Sequence, residues 1–163
     1  MTSALSRSAA VHEAALAAVP AALADLGRLV RIPSVAFPGF DRREVARSAA
    51  AVKELLDGLG VFDAVEIRTA TILETGEEGM PAVIATRAAR HGRPTILLYA
   101  HHDVQPVGDD SRWQSPPFEP TVRDGRLYGR GAADDKAGVM AHVGALRALV
   151  EVLGTDFDLG VNL

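Results

Sequence analysis

The chain contains no cysteine. That excludes disulfides, thiolate metal ligands and a cysteine nucleophile. Aromatic residues are scarce, 5% of 163 residues, against 48% hydrophobic overall. A core must therefore come mostly from Ala, Val, Leu and Ile, and there is enough of these to argue against disorder. Positive charge is not in excess: 17 Lys+Arg stand against 21 Asp+Glu, a net charge of -4. Such a surface suits a polyanion poorly, so nucleic acid is not an expected partner. No stretch reaches the ~18 apolar residues of a membrane span. The Ala-rich run 14–24 follows His12 and Glu13, is interrupted by Pro20 and continues into the amphipathic ADLGRLVRI. It reads as helix rather than targeting segment, and a cytoplasmic location is the default expectation.

What is present is an alternation of helical and strand patterns. Residues 19–30 place Ala22, Leu26, Leu29 and Val30 at helical spacing, and Pro33 ends that helix. Asp41 is a candidate N-cap for a second helix reaching about residue 59, with Val45, Ala49, Val52, Leu55 and Leu56 on one face and Gly60 as C-cap. AVEIRTATIL (64–73) and AVIATRA read as strands around a glycine turn. TILLYAHHDV is apolar up to its histidines, the pattern of a strand buried on both faces. A long Pro-containing loop with Trp113 and Phe118 follows over 109–124, then an Asp-Gly hairpin signal. A third helix runs over 135–153, and DFDLGVNL starts like a strand. Helices interleaved with strands predict an α/β layered domain.

Two segments could carry chemistry. In a strand, His101 and Asp103 share a face and His102 points the other way. They lie at the C-terminal end of the strand, where α/β sheets place their sites. A histidine and a carboxylate so arranged can serve as metal ligand and orienting partner. A Ser-His-Asp hydrolase is the competing use, but no G-x-S-x-G elbow is present. Taken alone, His-x-Asp is more often a polar strand end. The second segment is GRGAADDKAG, where Asp134 or Asp135 could be a helix cap or could leave the helix start to bridge metal ions. Oxygen and imidazole donors without thiolate suit Zn, Mn or Co.

Together, the strand end H-x-D-V-Q-P, the loop W-x-x-x-P-F-x-P, the hairpin D-G-x-L-Y-G-R-G and the helix start D-D-K resemble the M20 metallopeptidase family in order and spacing. DLGRLVRIPSV is similar to that family's opening helix, so the resemblance covers most of residues 25–163. The family includes carnosinase-like dipeptidases, aminoacylases, carboxypeptidase G-type enzymes and succinyl-diaminopimelate desuccinylases. DVQP and DDK lean toward the dipeptidases.

The resemblance implies a three-layer α/β/α zinc-peptidase-like catalytic domain and a pair of zinc ions, with Co or Mn as substitutes. His101 would be a metal ligand, Asp134 would bridge both metals, and Asp103 would be the catalytic-site residue that orients His101. Asp135 and Lys136 would be structural or supporting, and His102 falls at a variable position. The substrate would be a dipeptide or an N-acyl amino acid, and the full-length protein a homodimer. Relatives often have Gly directly after the Lys, where this chain has Ala137.

The family's Glu-Glu pair, general base and metal ligand, follows a later strand. Glu77 and Glu78 precede His101 and sit in a turn, so they are no substitute. Residues 1–163 are therefore expected to be the N-terminal portion of a truncated catalytic domain without the lid and dimerisation domain. Such a chain is expected to bind zinc weakly and to be inactive alone. The rival expectations are a non-catalytic interaction module, or one half of a site completed in trans by a second chain. His12, His91 and His142 read as exposed or on a polar helix face.

Overall fold

The computed structural model describes residues 2–163, with side chains from residue 6 onward. Helix α1 (Thr2–Ala17) and helix α2 (Val19–Val30) are separated at Ala18 and meet at an angle of 51°. Pro20 causes the break, because it has no N–H to continue the hydrogen-bond ladder. Helix α3 (Arg42–Asp57) begins where Asp41 accepts the N–H of Arg43. It ends at Gly58, which keeps helical geometry, and Gly60 takes its positive φ of 64° two residues later. Gly60 is thus not the C-cap the sequence suggested.

Strands β1 (Ala64–Arg68), β2 (Ala82–Arg87), β3 (Thr95–Leu97) and β6 (Gly160–Asn162) form one sheet in the order β1-β2-β6-β3. β1 and β6 run antiparallel to β2, and β3 runs parallel to β6 with Ile96 opposite Val161. β1 is shorter than expected: past Arg68 the chain leaves the sheet into a turn closed by a bridge between Thr71 and Glu78. Strands β4 (Thr121–Arg123) and β5 (Arg126–Tyr128) form a separate hairpin. Its turn places both Asp124 (φ 48°) and Gly125 (φ 72°) in the left-handed region, which a two-residue hairpin turn requires.

Helix α4 (Lys136–Leu153) packs beside α1, α2 and α3. The core joins Leu26, Leu29 and Val30 of α2 and Val52, Leu55 and Leu56 of α3 to Val139, Val143 and Leu146 of α4. Ala85 and Val161 meet them from the sheet. These helices share one face. On the other face Ile84, Leu97 and Tyr99 stand in solvent, Leu97 80% and Tyr99 79% exposed. The strand leading to the histidines is therefore not buried on both faces. Only its alternate residues Leu98 and Ala100 pack on the core.

Candidate metal centre

Past Leu97 the β3 segment loses most of its strand partners, and side chains take over its backbone groups. Among the described residues, only Leu98 of this segment still donates to the sheet, to the carbonyl of Asn162. The Tyr99 carbonyl accepts Nε2–H of His142 at 2.9 Å. His142 is thus partly buried against the strand, not on a free polar face as the sequence suggested. The His101 N–H donates to Oδ2 of Asp135 at 3.1 Å. The His102 carbonyl accepts the hydroxyls of Ser34 at 2.7 Å and Ser48 at 3.1 Å. The Val104 N–H donates to the Ser34 carbonyl at 2.9 Å.

His101 and His102 have opposite surroundings. His102 donates Nε2–H to the Pro81 carbonyl at 3.2 Å, while its Nδ1 is buried without a partner among the described residues. Burial pushes its pKa down, and the Pro81 carbonyl and Asp103 oppose this only in part. His102 is therefore a neutral wall of the cleft. His101 donates Nδ1–H to the backbone carbonyl of Asp103 at 3.1 Å, with the Asp103 carboxylate 3.4 Å from the same nitrogen. The other ring nitrogen, Nε2, faces Oδ1 of Asp134 at 3.1 Å.

Asp134 is 80% exposed, held out in front of the ring by the turn that starts α4. Its neighbour Asp135 occupies the N-cap position but makes no cap bond with its side chain, because that carboxylate is spent on the His101 N–H. A Cβ at Gly138 would lie 2.3 Å from Oδ1 of Asp135, so only glycine leaves room for it. Lys136 is fully buried and donates to the carbonyls of Leu29 and Ile32, both at 2.7 Å. It ties down the C-terminal end of α2, adding a donor to carbonyls that also accept the N–H groups of Ile32 and Ser34. Burial pushes its pKa down to about 8, with Asp103 opposing. Gly131, at φ 84°, has no room for a side chain: a Cβ there would lie 2.7 Å from Cγ1 of Val104 and 3.1 Å from Cδ of Lys136.

Burial alone would favour the neutral His101 ring. The Asp103 carbonyl and carboxylate, Asp134 and Asp135 outweigh it, and the His101 pKa is raised. The reason is geometric. With Nδ1–H committed to a carbonyl, Nε2 meets a carboxylate oxygen, and the two lone pairs need a cation between them. In the metal-free protein a proton supplies it. A metal ion fits the same donors, since two ligand atoms at zinc distances of 2.0–2.2 Å stand roughly 3.3 Å apart. Among the described residues no group of three or more His, Asp or Glu side chains is arranged around one such point. Glu77 and Glu78 lie in the exposed turn, where Glu78 accepts the Thr69 hydroxyl.

A cleft of about 310 Å³ opens beside His101, lined by Pro81, Val83, Tyr99, His102, Asp103 and Leu163 among others. Trp113 is local packing: it donates to the Val107 carbonyl and lies under the Arg130 guanidinium. Ser34 and Ser48 escaped the sequence reading. The available signal was a serine at position 48, on the α3 face otherwise made of Val45, Ala49 and Val52.

An α/β domain with a histidine and an aspartate converging at a strand end and a helix start has the features of a metal-site scaffold. The comparisons say which. Residues 97–159 match the model of peptidase family M20/M25/M40. The chain is 53% identical over 68 residues to a cysteinylglycine-S-conjugate dipeptidase of Corynebacterium striatum, an alignment spanning 42% of this chain and 15% of that protein. Its fold is similar to that of the di-peptidase Dug1p of Saccharomyces cerevisiae, with a TM-score of 0.81 at 21% identity over 94% of this chain and 33% of the other. It is also similar to human carnosine dipeptidase 1, with a TM-score of 0.77 at 26% identity over 93% and 32%. Residues 97–159 are thus similar to the M20 family of peptidases, and the chain has the fold of about a third of those two dipeptidases.

Proposed function

We propose that this chain carries one side of the active site of a metal-dependent amide hydrolase acting on dipeptides or N-acyl amino acids. The observation that carries the reading is the approach of His101 Nε2 to Asp134 Oδ1, 3.1 Å, with the opposite ring nitrogen already engaged. On this reading His101 and Asp134 would be ligands of the metal, zinc by preference, with cobalt or manganese as substitutes, and Asp134 would be the ligand shared by the site's ions. Bound there, the metal would activate water and polarise the scissile carbonyl. Asp103 fixes the tautomer of His101 through its carbonyl and, from slightly further, its carboxylate, so that Nε2 presents its electron pair. His102, neutral and apolar-facing, helps wall the cleft from water.

The structural neighbours are about three times as long as the part they share with this chain. The general base, the remaining ligands and a lid and dimerisation domain are therefore assigned to sequence outside residues 1–163. Zinc normally takes three or four protein ligands, and His101 with Asp134 supplies two. The isolated chain should bind zinc weakly and leave dipeptides intact. A cytoplasmic location and a homodimeric full-length protein complete the proposal.

The test is a cobalt(II) or zinc titration of the chain, followed on the His101 ring by NMR. Binding should strengthen as pH rises through the raised His101 pKa, because the proton on Nε2 must leave first. His101→Ala and Asp134→Ala should each abolish it. Binding that survives both substitutions would overturn the assignment.

A further inference from the structure

Ser34 and Ser48 are fully buried, and both hydroxyls point at one atom, the carbonyl oxygen of His102. This is unusual on each side. A serine inside a helix commonly turns its hydroxyl back to the carbonyl four residues earlier. Ser48 instead reaches out of α3 to the strand, 54 residues away in sequence. A carbonyl oxygen has two lone pairs, and here both are used by side chains rather than by a sheet neighbour. Ser34 also contributes its own carbonyl, which accepts the Val104 N–H at 2.9 Å.

The stretch they hold is the one that needs holding. His101 lies past the last residue of β3, where regular strand pairing has stopped. On its N-terminal side, Asp135 takes the His101 N–H. On its C-terminal side the two serines take the His102 carbonyl. The backbone around His101 is thereby fixed at both ends by side chains from α3, the α2–α3 loop and the start of α4.

We infer that Ser34 and Ser48 form a paired hydroxyl clamp and are positioning residues for His101. They set where the backbone places its ring relative to Asp103 and Asp134. The inference deepens the metal-site reading and rests on it for its functional meaning, but the geometry it predicts exists without metal.

The experiment uses the chain labelled with ¹⁵N-histidine, metal-free, at a pH where His101 is neutral. In the wild type, His101 should give one set of ring signals with the proton on Nδ1. In Ser34→Ala/Ser48→Ala, the two ring tautomers should mix, and amide exchange at His101 and Val104 should quicken about tenfold or more, the equivalent of losing a buried hydrogen bond. Cobalt(II) affinity should fall about tenfold or more, as is typical when a ligand loses its support. Leu146→Ala, in the core at the far side of α4, is the control: it should cost more stability and leave the His101 ring unchanged. Should the double variant fail to fold, Ser34→Cys and Ser48→Cys keep the shape with a weaker donor and should show the same trend. Unchanged tautomer and exchange in the folded variants would overturn the clamp. A wild type that shows the fixed tautomer but binds no cobalt would overturn the metal reading and leave the clamp standing.

Discussion

The two faces of the four-stranded sheet are made by the same strands and have opposite fates. On one, Val83, Ala85, Leu98, Ala100 and Val161 meet three helices. On the other, Ile84, Thr86, Leu97, Tyr99 and Asn162 face outward, exposed. Alternation along a strand is enough to produce this, since neighbouring side chains point to opposite faces. The candidate site sits at the margin where strand pairing gives out. His101 follows the packed residue Ala100, so its backbone is anchored while its ring reaches the edge where Asp134 waits. Packing accuracy and chemical access are supplied by the same few residues.

The packed face should respond most to damage. Leu56 on α3 is fully buried in the shared core. Leu56→Ala should cost about 2–5 kcal/mol, by lost burial and a residual cavity, read as a lower denaturant midpoint at unchanged slope. A loss below about 1 kcal/mol would mean that the helical layer repacks freely and that the contrast between the faces is weaker than drawn.

A smaller effect should come from Lys136, which lies inside the packed half but belongs to the site's scaffold. Its folded pKa, about 8, lies below the ordinary lysine value of 10.5 because burial disfavours the charge. Above pH 8 the unfolded chain therefore binds more protons than the folded one, and stability should rise with pH until the unfolded lysine also titrates near 10.5. The full rise is on the order of 3 kcal/mol at 1.36 kcal/mol per pKa unit. Denaturation of the wild type between pH 7 and 10, compared with Lys136→Met, isolates it: the slope should vanish in the variant. Equal slopes in both would show that Lys136 is not held as a desolvated cation.

Much of the fold was legible in the chain because it depends on local patterns. Helix α2 occupies the predicted residues, Asp41 caps α3 as its side chain allows, and the Asp-Gly turn closes the hairpin. The α/β class and the family resemblance are likewise supported. Less legible was everything set by distant partners. An apolar strand such as TILLYA looks the same whether one face is covered or both, and only the placement of the helices decides that. For the site, strand alternation paired His101 with Asp103 and the family resemblance singled out Asp134 over Asp135; in the structure these three residues lie close together. The sequence could not show that Asp103 approaches most closely through its backbone carbonyl, or that Asp135 holds a backbone N–H instead of capping its helix. Nor could it reveal Ser34 and Ser48, whose partner carbonyl lies 68 and 54 residues away. Their contacts are long in sequence and carried by a backbone atom, which no side-chain pattern encodes.

The smallest change is expected on the open face, and it tests the comparison from the other side. Leu97 is 80% exposed and lies opposite Asn162 in the sheet, away from the helices. Leu97→Thr keeps a residue suited to a strand and removes apolar surface that water already covers. Stability should change by no more than about 0.5 kcal/mol, as for most surface substitutions. Self-association should fall, because an apolar sheet face with short, incompletely paired strands invites contact with other chains. Sedimentation of Leu97→Thr against wild type at matched concentration measures the second effect, and urea unfolding the first. If Leu97→Thr instead destabilises the chain by 2 kcal/mol or more, the face is covered in solution by something as specific as a core. The open side would then have to be redrawn as an interface.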